Sequence, residues 1–214
     1  MKIDFMKTVY DTQEYMPFRF SADYKKICDQ FDNIPVINNN YSIAIKDDYY
    51  RKFQNESIQS LHESPLLTRH QLCVIRWKSQ IETTTAVISN FKNVILKIFL
   101  SWEEKYISMI TDHFKERASE GRMLNNHNSI KIQTGKIVSK LLYANQIVKH
   151  STLLTDNNLI PDFHILASEK IKEIAIDLHK TSGGRAFVQE NVVEMLCLFE
   201  IFRKIYFMRY CNEK

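Results

Sequence analysis

From Ile81 to Phe114, apolar side chains recur at intervals of three, four and seven: Ile81, Val87, Ile88, Phe91, Ile95, Ile98, Phe99, Trp102, Tyr106, Met109, Ile110 and Phe114. Such spacing puts every apolar side chain on one face of a helix and on no single face of a strand. The run predicts one amphipathic helix of about 35 residues, ~50 Å long. A stripe of that length needs partners along its whole reach, so the rest of the chain must supply them.

Three further runs do so. A second helix is predicted over 129–154, through Ile130, Ile137, Leu141, Leu142, Ala144, Ile147 and Val148, and is broken by Asn157-Asn158 and Pro161. A third is predicted over 162–181, with Asp162 as its N-cap and Pro161 just before it, stopped by Gly183-Gly184. A fourth covers 189–209 and is apolar on most faces, so burial by neighbours or by another subunit is expected. Long helices with short connections predict a mainly α chain with an antiparallel four-helix bundle over 80–214. Glycine supports this, since only four occur among 214 residues, too few for many turns.

Residues 1–79 have a different character and form a short mixed segment of unassigned fold. Three of the four prolines fall there, with polar breaks such as Asn38-Asn39-Asn40. The segment Tyr41-Ser42-Ile43-Ala44-Ile45 alternates, its odd-numbered face apolar, as a short strand does. Helical pieces are expected near 21–31 and 49–62.

Charge and composition exclude several functions. The net charge is +4, and the basic residues form no run of the kind that marks a nucleic-acid partner. No apolar run approaches the ~20 residues that span a bilayer. Asp4, Asp11 and Glu14 interrupt the start, which argues against a leader peptide. Cys28, Cys73, Cys197 and Cys211 lie far apart, as expected of buried thiols in a reducing cytoplasm. The histidines, at 62, 70, 113, 127, 150, 164 and 179, show no metal-ligand spacing, and no metal site is expected.

Two stretches carry a resemblance. Ala167-Ser168-Glu169 is followed by Ser182-Gly183-Gly184-Arg185-Ala186-Phe187-Val188-Gln189-Glu190-Asn191-Val192-Val193-Glu194. Upstream stands Glu116-Arg117-Ala118-Ser119-Glu120-Gly121-Arg122. Together they resemble the C-terminal helical domain of the acyl-CoA dehydrogenases, which reads A-S-E, then G-G-x-G-[YF]-x-x-E-x-x-[VL]-E, with E-R-x-x-F-G-[KR] joining its first two helices. The resemblance covers roughly 80–214. In that family a helical domain and a β-domain precede the bundle, and the 79 residues before it here cannot hold both whole.

The resemblance implies roles for particular residues. Arg117 takes the place of the arginine that helps hold the flavin pyrophosphate, as a guanidinium fork can. The alternative is a solvated helix-end arginine beside Glu116 and Glu120, and Glu120 replaces the family's phenylalanine with a charge that repels phosphate. Asn128 aligns with a flavin-contacting glutamine, or caps the second helix. Gly183 and Gly184 would let backbone approach the adenosine of a cofactor bound by a neighbouring subunit, or simply cap a helix. Arg185 would add a phosphate contact, or lie free on the surface.

The family's catalytic glutamate, in I-Y-E-G, falls on Phe207 of Lys204-Ile205-Tyr206-Phe207-Met208. Phenylalanine accepts no proton. The second position used by some members, on the first helix of the domain, falls near Phe91. The resemblance therefore implies a relative without ordinary α,β-dehydrogenase chemistry. It would act as a partner subunit or scaffold in an oligomer, with itself or with a paralogous subunit, contributing to a shared FAD site for an acyl-thioester. The alternatives are a flavin-dependent oxidoreductase or monooxygenase that needs no glutamate, and a cofactor-free helical interaction module.

Overall fold

The computed structural model describes residues 20–30, 40–46, 58–78, 84–153, 159–182 and 191–208. In chain order come α1 (Phe20–Gln30), β1 (Tyr41–Ile45), β2 (Ile58–His62), α2 (Pro65–Arg69) and β3 (Leu72–Trp77). There follow α3 (Thr85–Lys115), a small hairpin of β4 (Ala118–Ser119) and β5 (Arg122–Met123), a 3-10 turn, α4 (Asn128–Leu153), α5 (Ile160–Ser182) and α6 (Asn191–Tyr206). The architecture is mainly helical, with a three-stranded antiparallel sheet in the order β1-β3-β2.

The long predicted helix is present as α3, 31 residues or about 46 Å. It packs against α4, α5 and α6, and α5 packs in turn against α4 and α6. Its stripe is buried through Phe91, Ile95, Phe99, Trp102 and Tyr106. Helix α6 also meets α2 and β1 within the chain.

The turn from α3 to α4 is the β4–β5 hairpin, with Ser119 opposite Arg122. Its two tip residues, Glu120 and Gly121, have φ of 53° and 75°. Two left-handed residues in succession match the right-handed twist of a two-residue hairpin, and glycine at the second position takes that conformation freely.

Several expectations are corrected. Helix α5 begins at Ile160, so Pro161 lies inside its first turn and Asp162 is a helical residue instead of the N-cap. The amide of Asp162 already bonds the Leu159 carbonyl at 3.1 Å, which a cap residue's would not. Proline in the first turn costs no hydrogen bond, because the amides there have no helical acceptor. Asn128 is likewise the first residue of α4, and the Lys131 amide bonds the carbonyl of His127, which occupies the cap position. The helix expected near 49–62 is replaced over Ile58–His62 by strand β2, because Ile58, Ser60, Leu61 and His62 find partners on β3. Local pattern yields there to pairing across the sheet. The other strand expectation, Tyr41–Ile45, matches β1.

The core crosses the compositional change near residue 80. Ile43, Ile45, Leu72 and Val74 on one sheet face join Phe91, Phe99, Ile171 and Phe202 in a single hydrophobic cluster. The opposite face carries a smaller cluster of Ala44, Cys73, Ile75 and Trp77. There the Trp77 indole donates to the buried Ser42 hydroxyl at 2.9 Å. Cys73 is buried, Cys28 half-buried and Cys197 exposed, so the expectation of buried thiols fails at Cys197. Among the described residues no helix is long and apolar enough to cross a membrane.

One buried polar knot fixes how α3, α4 and α5 meet. Asn93 Oδ1 accepts from the Ser151 hydroxyl at 2.7 Å and lies 2.9 Å from His164 Nε2. An amide oxygen only accepts, so His164 carries its proton on Nε2. Burial, and then the nearby Lys92 ammonium, lower the His164 pKa to about 4. Because that value lies below the ordinary ~6.5 of histidine, the unfolded chain binds the extra proton first, and stability falls as pH drops from about 6.5 towards 4. Asn93→Leu strands the His164 donor, while the Ser151 hydroxyl keeps the Val148 carbonyl at 2.8 Å, and is expected to cost about 1–3 kcal/mol in urea unfolding at pH 7. A loss under ~0.5 kcal/mol would remove the knot from the stabilising interactions.

Candidate functional site

Strand β1 is an edge strand, and an edge leaves backbone groups without a neighbour. Here two tyrosines supply the neighbour. The Tyr24 hydroxyl of α1 donates to the Ile43 carbonyl at 2.7 Å. The Ile43 amide donates to the Tyr206 hydroxyl, at the end of α6, at 3.0 Å. Burial first, and the neighbouring Tyr206 hydroxyl second, hold the Tyr24 pKa well above its usual range. Burial likewise raises that of Tyr206. Both phenols are therefore neutral hydrogen-bonding groups at any physiological pH.

Around this residue the aromatic rings close. Phe91 of α3 lies 5.0 Å from the Tyr206 ring, and Tyr24 packs edge-on to Phe202 at 5.4 Å. Phe91 and Tyr206 are 2% and 1% exposed. Phe207, directly after α6, is also buried, 3% exposed, and belongs to the same large hydrophobic cluster. Two positions singled out in sequence, Phe91 and Phe207, are thus both buried core phenylalanines. No carboxylate faces Tyr206 among the contacts described.

Where α5 and the end of α6 meet, a cleft of about 460 Å³ opens. Ile165, Leu166, Glu169, Arg203, Phe207 and Met208 line it, with Asp162 and Ser168. The Ser168 hydroxyl turns inward to its own helix, donating to the Ile165 carbonyl at 2.8 Å. A second cleft, of about 340 Å³, lies between the end of α3 and the start of α4, lined by Phe114, Ile130, Thr134 and Val138 among others.

Of the cofactor positions suggested by sequence, the two described ones, Arg117 and Asn128, line neither cleft. Arg117 is exposed at the base of the hairpin, where its carbonyl accepts from the Leu124 amide. Asn128 is exposed on the first turn of α4. Gly183, Gly184 and Arg185 lie outside the described residues. Glu194 of the resemblance pairs with Arg69 of α2, tying the start of α6 to the N-terminal elements. Among the described residues no group of three His, Cys, Asp or Glu side chains is placed to hold a metal ion.

Sequence reading missed one buried acid. Glu103 of α3 is fully buried, and neither carboxylate oxygen has a hydrogen-bond partner among the described residues. Burial raises its pKa well above the carboxylate range. A signal was available in hindsight: Glu103 sits between Phe99 and Tyr106 at helical spacing, on the buried stripe.

No family model matches this sequence, and no curated protein does either. The fold is similar to a solved structure from Acidaminococcus fermentans described as an electron transferring flavoprotein, in work towards a mechanism of flavin-based electron bifurcation. The likeness has a TM-score of 0.53 at 13% identity and covers 76% of this chain. It takes in 51% of the other chain, so this protein spans about half the length of that one. At that identity the likeness concerns the fold alone.

Two outcomes follow from the Ile43 contacts and the acid. Tyr206→Phe leaves the Ile43 amide without an acceptor and is expected to cost about 1–3 kcal/mol, read as a lowered urea midpoint. Glu103→Met is expected to gain about 1–3 kcal/mol near neutral pH, because the wild-type chain buries a polar group without a partner. A raised folded-state pKa means that wild-type stability falls as pH climbs above the ordinary ~4.3 of glutamate, so the gain should grow between about pH 4.5 and pH 8. A gain that is flat across that range would show that Glu103 does not titrate on unfolding.

Proposed function

We propose that this chain is an altered relative of the acyl-CoA dehydrogenases that performs no dehydrogenation of its own and acts as a partner subunit or scaffold in an oligomer. The observation that carries this reading is a pair of buried phenylalanines. Phe91 and Phe207 stand where the family's two base positions fall by resemblance, and both are buried phenylalanines packed in the core. Removing an α-proton needs a group that accepts one within hydrogen-bond reach of the substrate carbon. Phenylalanine offers none, and the two nearby phenols are committed to the Ile43 backbone.

Surface character supports the oligomer. Helix α4 exposes Ile132, Leu142, Tyr143 and Leu153, apolar side chains that a partner could cover. Its partner would be a second copy of this chain or a paralogous subunit carrying an intact acyl-thioester site.

A second reading keeps a flavin. The exposed Arg117, on a rigid hairpin between two long helices, is free to reach a pyrophosphate held largely by another subunit. The fold's likeness to a structure described as a flavoprotein favours the same reading. A cofactor-free interaction module is the remaining reading.

One experiment separates them. The purified protein is mixed with FAD, desalted, and read by visible absorption together with light scattering on a sizing column. The partner-subunit reading expects a colourless oligomer that binds FAD only with a second, intact subunit. Flavin retained by the chain alone, and released about tenfold or more readily in Arg117→Ala, would replace it with the flavoenzyme reading. A colourless monomer in every mixture would leave the interaction module.

A further inference from the structure

Arg203 is unusual among the ion-paired cations of this protein. Its side chain is only 13% exposed, yet its one described acceptor is Glu169 Oε1, 3.4 Å from Nη2. That is long for an N–H···O bond, which lies commonly near ~2.9 Å. Its Nε is buried without a hydrogen-bond partner. By contrast Lys140 reaches Asp177 at 2.6 Å while more than a third exposed. A guanidinium removed from water has lost most of its hydration and is held here by one loose contact to a carboxylate that is itself 56% exposed. Such a group gains strongly from a close, bidentate anion.

The walls around it define what the anion is attached to. Phe207 forms a buried wall of the cleft, while Leu166 and Met208 stand 40% and 46% exposed among its lining side chains, with Ile165. Large apolar side chains exposed along a concave surface gain by covering, and a cleft of about 460 Å³ lies within the size range of small-molecule sites. Inorganic phosphate or sulfate would satisfy Arg203 and leave those walls wet. A purely apolar guest would leave the guanidinium as it is. We infer that the cleft between α5 and the end of α6 binds a small amphipathic monocarboxylate, its headgroup on Arg203 and its apolar body against Leu166, Phe207 and Met208. Glu169 is then a competitor for Arg203 that the ligand displaces outward into solvent.

This inference is independent of flavin, since it is read on the full chain without any cofactor. The test is a titration with sodium hexanoate, hexan-1-ol and hexylammonium chloride, followed by methyl NMR shifts of Ile165, Leu166 and Met208. Saturable shifts with hexanoate, and none at equal concentration with the alcohol or the amine, are expected. Arg203→Met should abolish them, with circular dichroism checking that the variant is folded. Glu169→Gln changes an exposed side chain and keeps the fold, so it decides the matter even if the arginine variant melts. Removing the competing charge should tighten hexanoate about two- to fivefold. Weaker binding in Glu169→Gln, equal binding of hexan-1-ol, or a preference for hexylammonium would each overturn the assignment.

Discussion

Two backbone groups of one residue, the amide and the carbonyl of Ile43, tie the sheet to helices from both parts of this protein. The carbonyl accepts from Tyr24 and the amide donates to Tyr206, so an edge strand that would otherwise expose its backbone is closed by side chains from opposite ends of the sequence. Hydrogen bonds inside an apolar cluster are strong because water cannot compete, and costly to lose for the same reason. Those two hydroxyls act together with the hydrophobic cluster that sheet and helices share and with the Arg69–Glu194 pair.

Polar groups in the core fall into two kinds. The Asn93, Ser151 and His164 set is mutually satisfied and sets the register of three helices against one another. Glu103 lacks a partner among the described residues, and burial alone keeps it protonated. The first kind specifies the packing. The second costs stability without adding a contact, and a chain keeps such a group only against a standing penalty. The two groups pull stability in opposite directions with pH, because one stays neutral by losing a proton and the other by keeping one.

The altered-dehydrogenase reading and the cleft share one residue. Phe207, buried directly after α6, is among the residues that line a cleft with an under-compensated arginine.

The helices were legible because their signal is local. The periodicity from Ile81 to Phe114 reports α3 within a few residues, as the patterns further on report α4, α5 and α6, since a helix closes its hydrogen bonds within four residues of itself. The strand at Tyr41–Ile45 showed its alternation for a similar reason. Strand β3 did not stand out, because Leu72-Cys73-Val74-Ile75 is buried on both faces and so has no alternation to read. Strand β2 looked helical because its pairing lies on another segment. The sequence by itself determined the helical class and the course of the long helices. Only the tertiary structure decided that Tyr24 and Tyr206 bond the backbone of one residue, that Glu103 has no described partner and that Arg203 faces a cleft. Each of those facts depends on groups brought together from distant parts of the chain, and such contacts leave no trace in local periodicity.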